Sequence, residues 1–205
     1  GTGIAIDGQE ISPAVIFDRP EIPYENDAQM EKMKSLKKQL RRSGHFVTAA
    51  VTAAAAALNE SGLELEHTEK AALLLTSTFG DQDATVEFID ETQLYGCEQG
   101  SPIKFAHSSL NMGASYAARL LGVKGPSMTM INFDDCFYNA LVTAYSLLST
   151  VYCKNLLLIH CESDTALAKL LYKWQKTGKA EIEKPFAIND GTSSAVAFVL
   201  GTGKS

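Results

Sequence analysis

The chain has 205 residues, 45% of them apolar and 20% charged, with a net charge of −6 at pH 7. That length holds one domain with a large core or two small ones. The acidic balance, with no domain-wide excess of Lys and Arg, argues against a nucleic-acid partner. No apolar run approaches the roughly 18 residues of a membrane span.

In chain order, residues 1–8 read as a short strand ending in a turn. The start at Gly1-Thr2, without Met or a secretory pattern, is expected to include one or two residues left over from expression. Residues 9–27 hold three prolines and little periodicity, so an irregular surface segment is expected, with Asn26 or Asp27 able to cap the helix that follows. Met33, Leu36 and Leu40 then recur at helical spacing among Lys32, Lys34, Lys37, Lys38, Arg41 and Arg42, the pattern of an amphipathic helix with a basic face. Such a face is either solvated or a dock for an acidic partner. Ser43-Gly44 interrupts it. The alanine-rich run "HFVTAAVTAAAAALNESG" reads as a second helix able to pack closely on its neighbours.

"KAALLLTSTFG" is a buried strand, and "DQDATVEFIDETQLYG" a helix whose acidic first turn suits the helix dipole. Residues 97–107 read as loop. "SLNMGASYAARLLG" is a helix capped by Ser108, Ser109 or Asn111, followed by a turn and the strand in "GPSMTMINF". "CFYNALVTAYSLLSTVYC" is a long apolar helix, "NLLLIHCES" a buried strand and "TALAKLLYKWQKTG" a helix. "SSAVAFVLG" is a last strand after an Asn189-Asp190-Gly191 turn. Strands alternating with helices, and nearly continuous in apolar character, predict a mainly parallel sheet covered on both faces.

The turn between "MTMINF" and the long apolar helix carries Asp134, Asp135 and Cys136, and strand-to-helix elbows of this kind often hold a nucleophile. Three readings are open. Cys136 is a thiol nucleophile, favoured by the helix N-terminus but opposed by two adjacent carboxylates, and free Cys is often simply buried. Alternatively, Asp134 or Asp135 is a general base or nucleophile. Or one Asp caps the helix that starts at Cys136 or Phe137 and the other is solvated. Metal binding has little support, because the adjacent His160 and Cys161 lie in a strand and point to opposite faces. No C-x-x-C pair joins any of the four cysteines, so a reducing cytoplasm is expected rather than a disulfide framework.

The order of these pieces resembles the N-terminal half of β-ketoacyl-acyl-carrier-protein synthases, in the thiolase-like superfamily, over nearly the whole chain. "RRSGHFVTAAVTAAAAAL" and "LLLTSTFG" look like the family's Arg-rich and alanine-rich helices and its strand with a glycine turn. Asn111-Met112 is similar to its Asn-Met helix start, and Gly122-Val123-Lys124-Gly125-Pro126 matches G-[LV]-[KR]-G-P. "NLLLIHCESD" stands where the family has a strand ending in Gly-Gly, and "PFAINDGTSSAVAFVL" resembles its closing Pro-Phe, Asp-Gly and strand segment. The family pattern T-[AV]-C-[AS]-[ST] follows the Gly-Pro strand. A gap-free count from Gly125-Pro126 puts Asp134 at the cysteine position and leaves Cys136 two residues late, while Ala140 and Ala144 fall on small family positions.

The resemblance implies an α/β fold, a thiolase-like half with a five-stranded mixed sheet between helices. A single domain is expected over 1–205, without the family's C-terminal half and its activating histidines, the chain being either a fragment or a half-length relative; the last histidine is His160. It implies a non-catalytic subunit, a chain-length factor that pairs with an active β-ketoacyl synthase in fatty-acid or polyketide synthesis, of the short type found in aryl-polyene-like pathways. The expected partner is such a synthase in a heterodimer, or a second copy, with acyl carrier protein met indirectly. No cofactor or metal is expected. Ser127, Met128, Thr129, Met130, Ile131, Asn132 and Phe133 are expected to form the interface strand, and Lys104, Phe105, Ser108 and Met112 to line a partner's acyl tunnel. Two alternatives stay open: a degenerate thioester decarboxylase or hydrolase using Asp134, and a stand-alone scaffold for an acyl chain or carrier protein.

Overall fold

The computed structural model describes residues 4–6, 9–11, 13–16, 27–63, 71–149, 153–164, 166–178 and 192–201. Strands β1 (Ile4–Ile6) and β2 (Gln9–Ile11) pair as an antiparallel hairpin, and β3 (Pro13–Ile16) follows. Helices α1 (Asp27–Leu40) and α2 (His45–Glu60) lead to β4 (Ala71–Ser77). Then come α3 (Gln82–Tyr95), a 3-10 turn (Cys97–Gln99), α4 (Pro102–His107), α5 (Met112–Leu121) and β5 (Ser127–Ile131). The described elements close with α6 (Cys136–Leu148), β6 (Asn155–Asp164), α7 (Ala166–Thr177) and β7 (Thr192–Gly201).

Five strands form one mixed sheet in the order β3-β7-β6-β4-β5. β6, β4 and β5 run parallel, and β7 runs against both its neighbours, β6 and β3. The continuous apolar run of β4 has the expected cause. All seven of its residues are buried, with Leu73 and Leu75 in a large core under α1, α2 and α5 and Ala72 and Leu74 in a smaller one under α6. α2 approaches closely because Ala50, Ala53, Ala54 and Ala57, none more than 2% exposed, line its buried face at helical spacing. α1 turns Met33, Leu36 and Leu40 inward and leaves its lysines exposed.

Two stretches differ from the sequence reading. The supposedly irregular 9–27 contains β2 and β3. These are too short to show alternation, and Pro13 is tolerated as the first residue of an edge strand. The supposed loop 97–107 contains the 3-10 turn and α4. Here Ser101 accepts from the Lys104 N–H at 3.4 Å with Pro102 in the first helical position, a start signal present in the sequence. The Asn189-Asp190-Gly191 turn and the Asn26 cap lie outside the described residues.

β5 is an edge strand, and its backbone alternation can be derived. Leu73 N–H donates to Pro126 O at 2.8 Å and Asn132 N–H to Ser77 O at 3.3 Å. In a parallel ladder the residues bonded to a given neighbour alternate, so residues 126, 128, 130 and 132 face β4. Ser127, Thr129 and Ile131 aim their N–H and C=O groups at the open edge, which no described strand covers.

Candidate functional site

The three parallel strands end on one side of the sheet, and the elbow forms there. After β5, the Asp134 N–H donates to Asn132 Oδ1 at 3.4 Å, and Asn139 Nδ2 donates to Asp134 O at 3.4 Å. Asp135 adopts φ 49, ψ 34, the sole positive φ on a non-glycine residue among those described. That left-handed conformation is uncommon outside glycine and better tolerated by Asp than by most residues. Both carboxylates are exposed.

The expected capping role is not taken by Asp135. Asp135 holds the cap position of α6, yet its side chain makes no capping bond. A bonding N-cap sits in the β region, and at φ 49 the carboxylate is not directed at the first-turn N–H groups. Cys136 also loses its candidacy as a nucleophile. It is buried, its Sγ donating to Ser77 O at 3.1 Å and lying 2.6 Å from Thr76 Oγ1. The thiol points into the sheet while the elbow presents carboxylates.

Beneath the elbow, Glu162 ties β6 to the end of β4. Its Oε1 accepts from Thr78 N–H at 2.6 Å and Thr78 Oγ1 at 2.7 Å, and its Oε2 from Ser77 Oγ at 3.1 Å. His160 Nε2 lies 3.5 Å from the same carboxylate, with its ring edge-on to Phe137. Burial pushes the His160 pKa down, partly offset by Glu162. As expected of adjacent strand residues, Cys161 faces the other way, its Sγ donating to Phe46 O at 3.5 Å. Sequence reasoning missed Glu162, though a carboxylate closing an apolar strand marks it.

It also missed Asp81. This residue follows the Gly80 turn and caps α3 by accepting from the Ala84 N–H at 3.3 Å. Burial raises its pKa from 3.8 to about 6, the capping bond opposes the shift, and Asp83 and Glu87 add to it. A raised carboxylate pKa favours the folded state fully below pH 3.8, and that advantage disappears as pH rises through about 6. Asp81→Asn keeps an acceptor for the cap without the charge. It should be more stable than the native chain by ~1–3 kcal/mol at pH 8 and nearly equal to it below pH 4. Urea unfolding at the two pH values measures this; an identical difference at both would show that Asp81 ionisation costs the fold nothing.

Of the residues read as tunnel-lining, Phe105 is 64% exposed and rests against Phe88, ring centroids 5.4 Å apart. Lys104 pairs with Glu91 at 3.7 Å, and Ser108 Oγ donates to Phe105 O at 2.8 Å. Met112 packs against the larger core. Ile103 and Leu110 are also exposed, at 63% and 51%, so the segment 102–112 presents apolar side chains outward. Along the strand read as the interface, Met128 is 40% and Phe133 58% exposed, while Met130 packs on the smaller core. Tyr138, Val142 and Tyr145 form one exposed stripe on α6. No described helix is long and apolar enough to cross a membrane. No cluster of three metal-ligating side chains occurs among the described residues.

No family model matches the sequence, and no curated protein matches it either. Solved structures do match. A ketosynthase (ApeO) in complex with its chain length factor (ApeC) from Xenorhabdus doucetiae aligns with TM-score 0.57 at 17% identity, over 82% of this chain and 61% of that one. The ishigamide ketosynthase/chain length factor aligns with TM-score 0.62 at 18% identity, over 82% and 48%. The AntDE:AntF complex, a type II PKS acyl-carrier protein with its ketosynthase, aligns with TM-score 0.61 at 15% identity, over 87% and 52%. The chain has the ketosynthase fold. It spans about half to three-fifths of the length of these ketosynthase-fold chains, and at such identities the likeness concerns architecture.

Proposed function

We propose that this ketosynthase-fold chain is a non-catalytic subunit, a chain-length factor that pairs with an active β-ketoacyl synthase in fatty-acid or polyketide synthesis. The proposal takes residues 1–205 as a single N-terminal-type domain working in the cytoplasm, a setting that four free cysteines suit. One observation carries it: the elbow keeps its strained shape but presents Asp134 and Asp135, while the neighbouring thiol is buried. Condensation needs an acyl-thioester enzyme, which a thiolate forms well; a carboxylate would give a labile mixed anhydride. The gap-free count puts Asp134 at the cysteine position and the strained backbone falls on Asp135, so either register leaves a carboxylate there. Solved neighbours that are ketosynthase/chain length factor complexes support the pairing.

Accordingly, the purified chain is expected to form no carbon–carbon bond from acyl and malonyl thioesters and to acquire no acyl adduct on Cys136 by mass spectrometry. Co-expressed with its ketosynthase, it is expected to elute as a complex by size-exclusion chromatography. Condensation by the chain alone would overturn the proposal. Turnover of a carrier-bound thioester that is lost in Asp134→Asn would establish the hydrolase or decarboxylase reading instead.

In that complex, Lys104, Phe105, Ser108 and Met112 are proposed to help set product length. Support comes from the outward apolar side chains of 102–112. A methylene in an apolar pocket is worth about 1–3 kcal/mol, so Phe105→Ala should lengthen products and Ser108→Trp shorten them by a few carbons without abolishing synthesis. Mass spectrometry of the products is the measurement. Unchanged chain lengths in an intact, active complex would reduce the segment to structural support.

A further inference from the structure

Immediately after the elbow, the first turn of α6 is seated on the sheet by two side chains. The Cys136 thiol donates to Ser77 O, and the Phe137 ring contacts Phe198 of β7 and His160 of β6, with centroids 5.7 and 5.6 Å away. Phe198 cannot change its charge, whereas His160 can. The two nitrogens of His160 stand in different surroundings. Nε2 is 3.5 Å from Glu162 Oε1, so the carboxylate places the neutral ring's proton there. Nδ1 is buried without a hydrogen-bond partner. A second proton therefore goes to Nδ1 and makes a buried donor that meets no acceptor, which is costly. Glu162 is poorly placed to compensate, because its Oε1 already accepts from the Thr78 N–H and Oγ1 at 2.6 and 2.7 Å and lies beside the other nitrogen. Among the described residues Glu162 is the charge acting on this ring. The neighbouring strands bring the uncharged Thr76 and Val196 beside it. From α6 come Phe137 and the titratable Cys136 thiol, which is held by Ser77 O and Thr76 Oγ1.

We infer that His160 is an acid-sensitive latch on the elbow: as a neutral ring it seats Phe137, and a second proton frees the first turn of α6. The charged ring gains by turning toward Glu162 or toward the water that already reaches part of its side chain, and either move takes it from Phe137. Burial, which lowers the His160 pKa below 6.5, acts in the same direction. With the folded pKa below that of the opened chain, the latch holds fully above pH 6.5 and is lost as pH falls through the folded value. The inference stands independently of the chain-length-factor proposal, because it concerns how the isolated chain holds its own helix.

Hydrogen–deuterium exchange of the full chain at about pH 7.5 and about pH 5.5 tests it, with rates corrected for the intrinsic chemistry of free amides. Protection over residues 137–141 is expected to fall about fivefold or more at the lower pH, the loss that one proton on the opened chain produces, while β4 and α2 change less than about twofold. Asp81 titrates over the same range but with the opposite sign, since its burial favours the acid form, so it cannot produce this loss. His160→Phe keeps an aromatic ring against Phe137 and takes no proton, and His160→Gln keeps a donor for Glu162. The pH response should disappear in both, and either variant serves if the other misfolds. NMR of the His160 ring should show its second proton arriving below pH 6.5. Equal protection of 137–141 at the two pH values, a loss that persists in the folded variants, or a ring that titrates at or above pH 6.5 would each overturn the inference.

Discussion

Thr129→Pro in β5 is expected to weaken association with a ketosynthase partner about 100-fold or more, ~3 kcal/mol, while leaving the chain itself folded. The asymmetry comes from the ladder. Leu73→Pro126 and Asn132→Ser77 bonds place the even residues of β5 on β4, so Thr129 directs its N–H at the open edge. Proline there deletes an outward donor and adds a ring where a neighbouring strand must approach. A strand that presents free donors beside exposed Met128 and Phe133 is otherwise an aggregation hazard, and pairing with a partner's strand removes it. Met130→Pro is the contrasting variant. Its N–H faces β4, so it should unfold the edge of the sheet itself. Sedimentation of co-purified chains separates the two. Undiminished association of Thr129→Pro, with circular dichroism unchanged, would move the interface elsewhere.

Gly125→Ala is expected to destabilise the chain by ~2–4 kcal/mol, a drop of about 5–15 °C in Tm for a domain this size. The Gly125-Pro126 turn crosses the start of β4, and a Cβ at 125 would stand 2.2 Å from Ala71 O. That contact is with backbone, so no side-chain rotation relieves it. Either the turn lifts off and the Leu73–Pro126 bond of 2.8 Å lengthens, or the buried start of β4 shifts. Gly96→Ala is the control. Nothing lies within 4 Å of its Cβ, and its backbone at φ 87, ψ 154 is in a region that glycine alone populates readily, so the loss is purely conformational, about 1–3 kcal/mol. Thermal unfolding of the two variants distinguishes steric from conformational cost; equal losses would show that the crossing is looser than the contact implies.

Much of the architecture was legible because it rests on local pattern. The apolar runs of β4 and β6, the Met33–Leu36–Leu40 spacing of α1 and the alanine face of α2 declare their elements before any contact is known. The elbow was legible as a short turn between an apolar strand and an apolar helix. That Asp135, not Asp134, carries the left-handed backbone was not, since conformation at one turn residue depends on how the strand before it and the helix after it are held. Glu162 and Asp81 were hidden for another reason. The partners of Glu162 at Ser77 and Thr78 are 85 and 84 residues away, and the shifted ionisation of Asp81 comes from burial, which no spacing displays. β2 and β3 escaped because three or four residues cannot show a period.

The two faces of the sheet are not equally held. α2 locks down with ten buried residues, whereas α6 fully buries only Cys136, Ala140 and Ala144 and otherwise meets the smaller core through the partly buried Phe137, Leu141, Leu147 and Leu148. Local opening follows buried contact, so amide protons in α6 and the outer half of β5 should exchange with solvent well before those of α2 and β4. The elbow lies at the junction of those two looser elements. Its shape in the isolated chain is therefore one member of a breathing ensemble, and a partner that covers this side would act less as a lid than as a clamp, slowing exchange there by selecting the conformation already present.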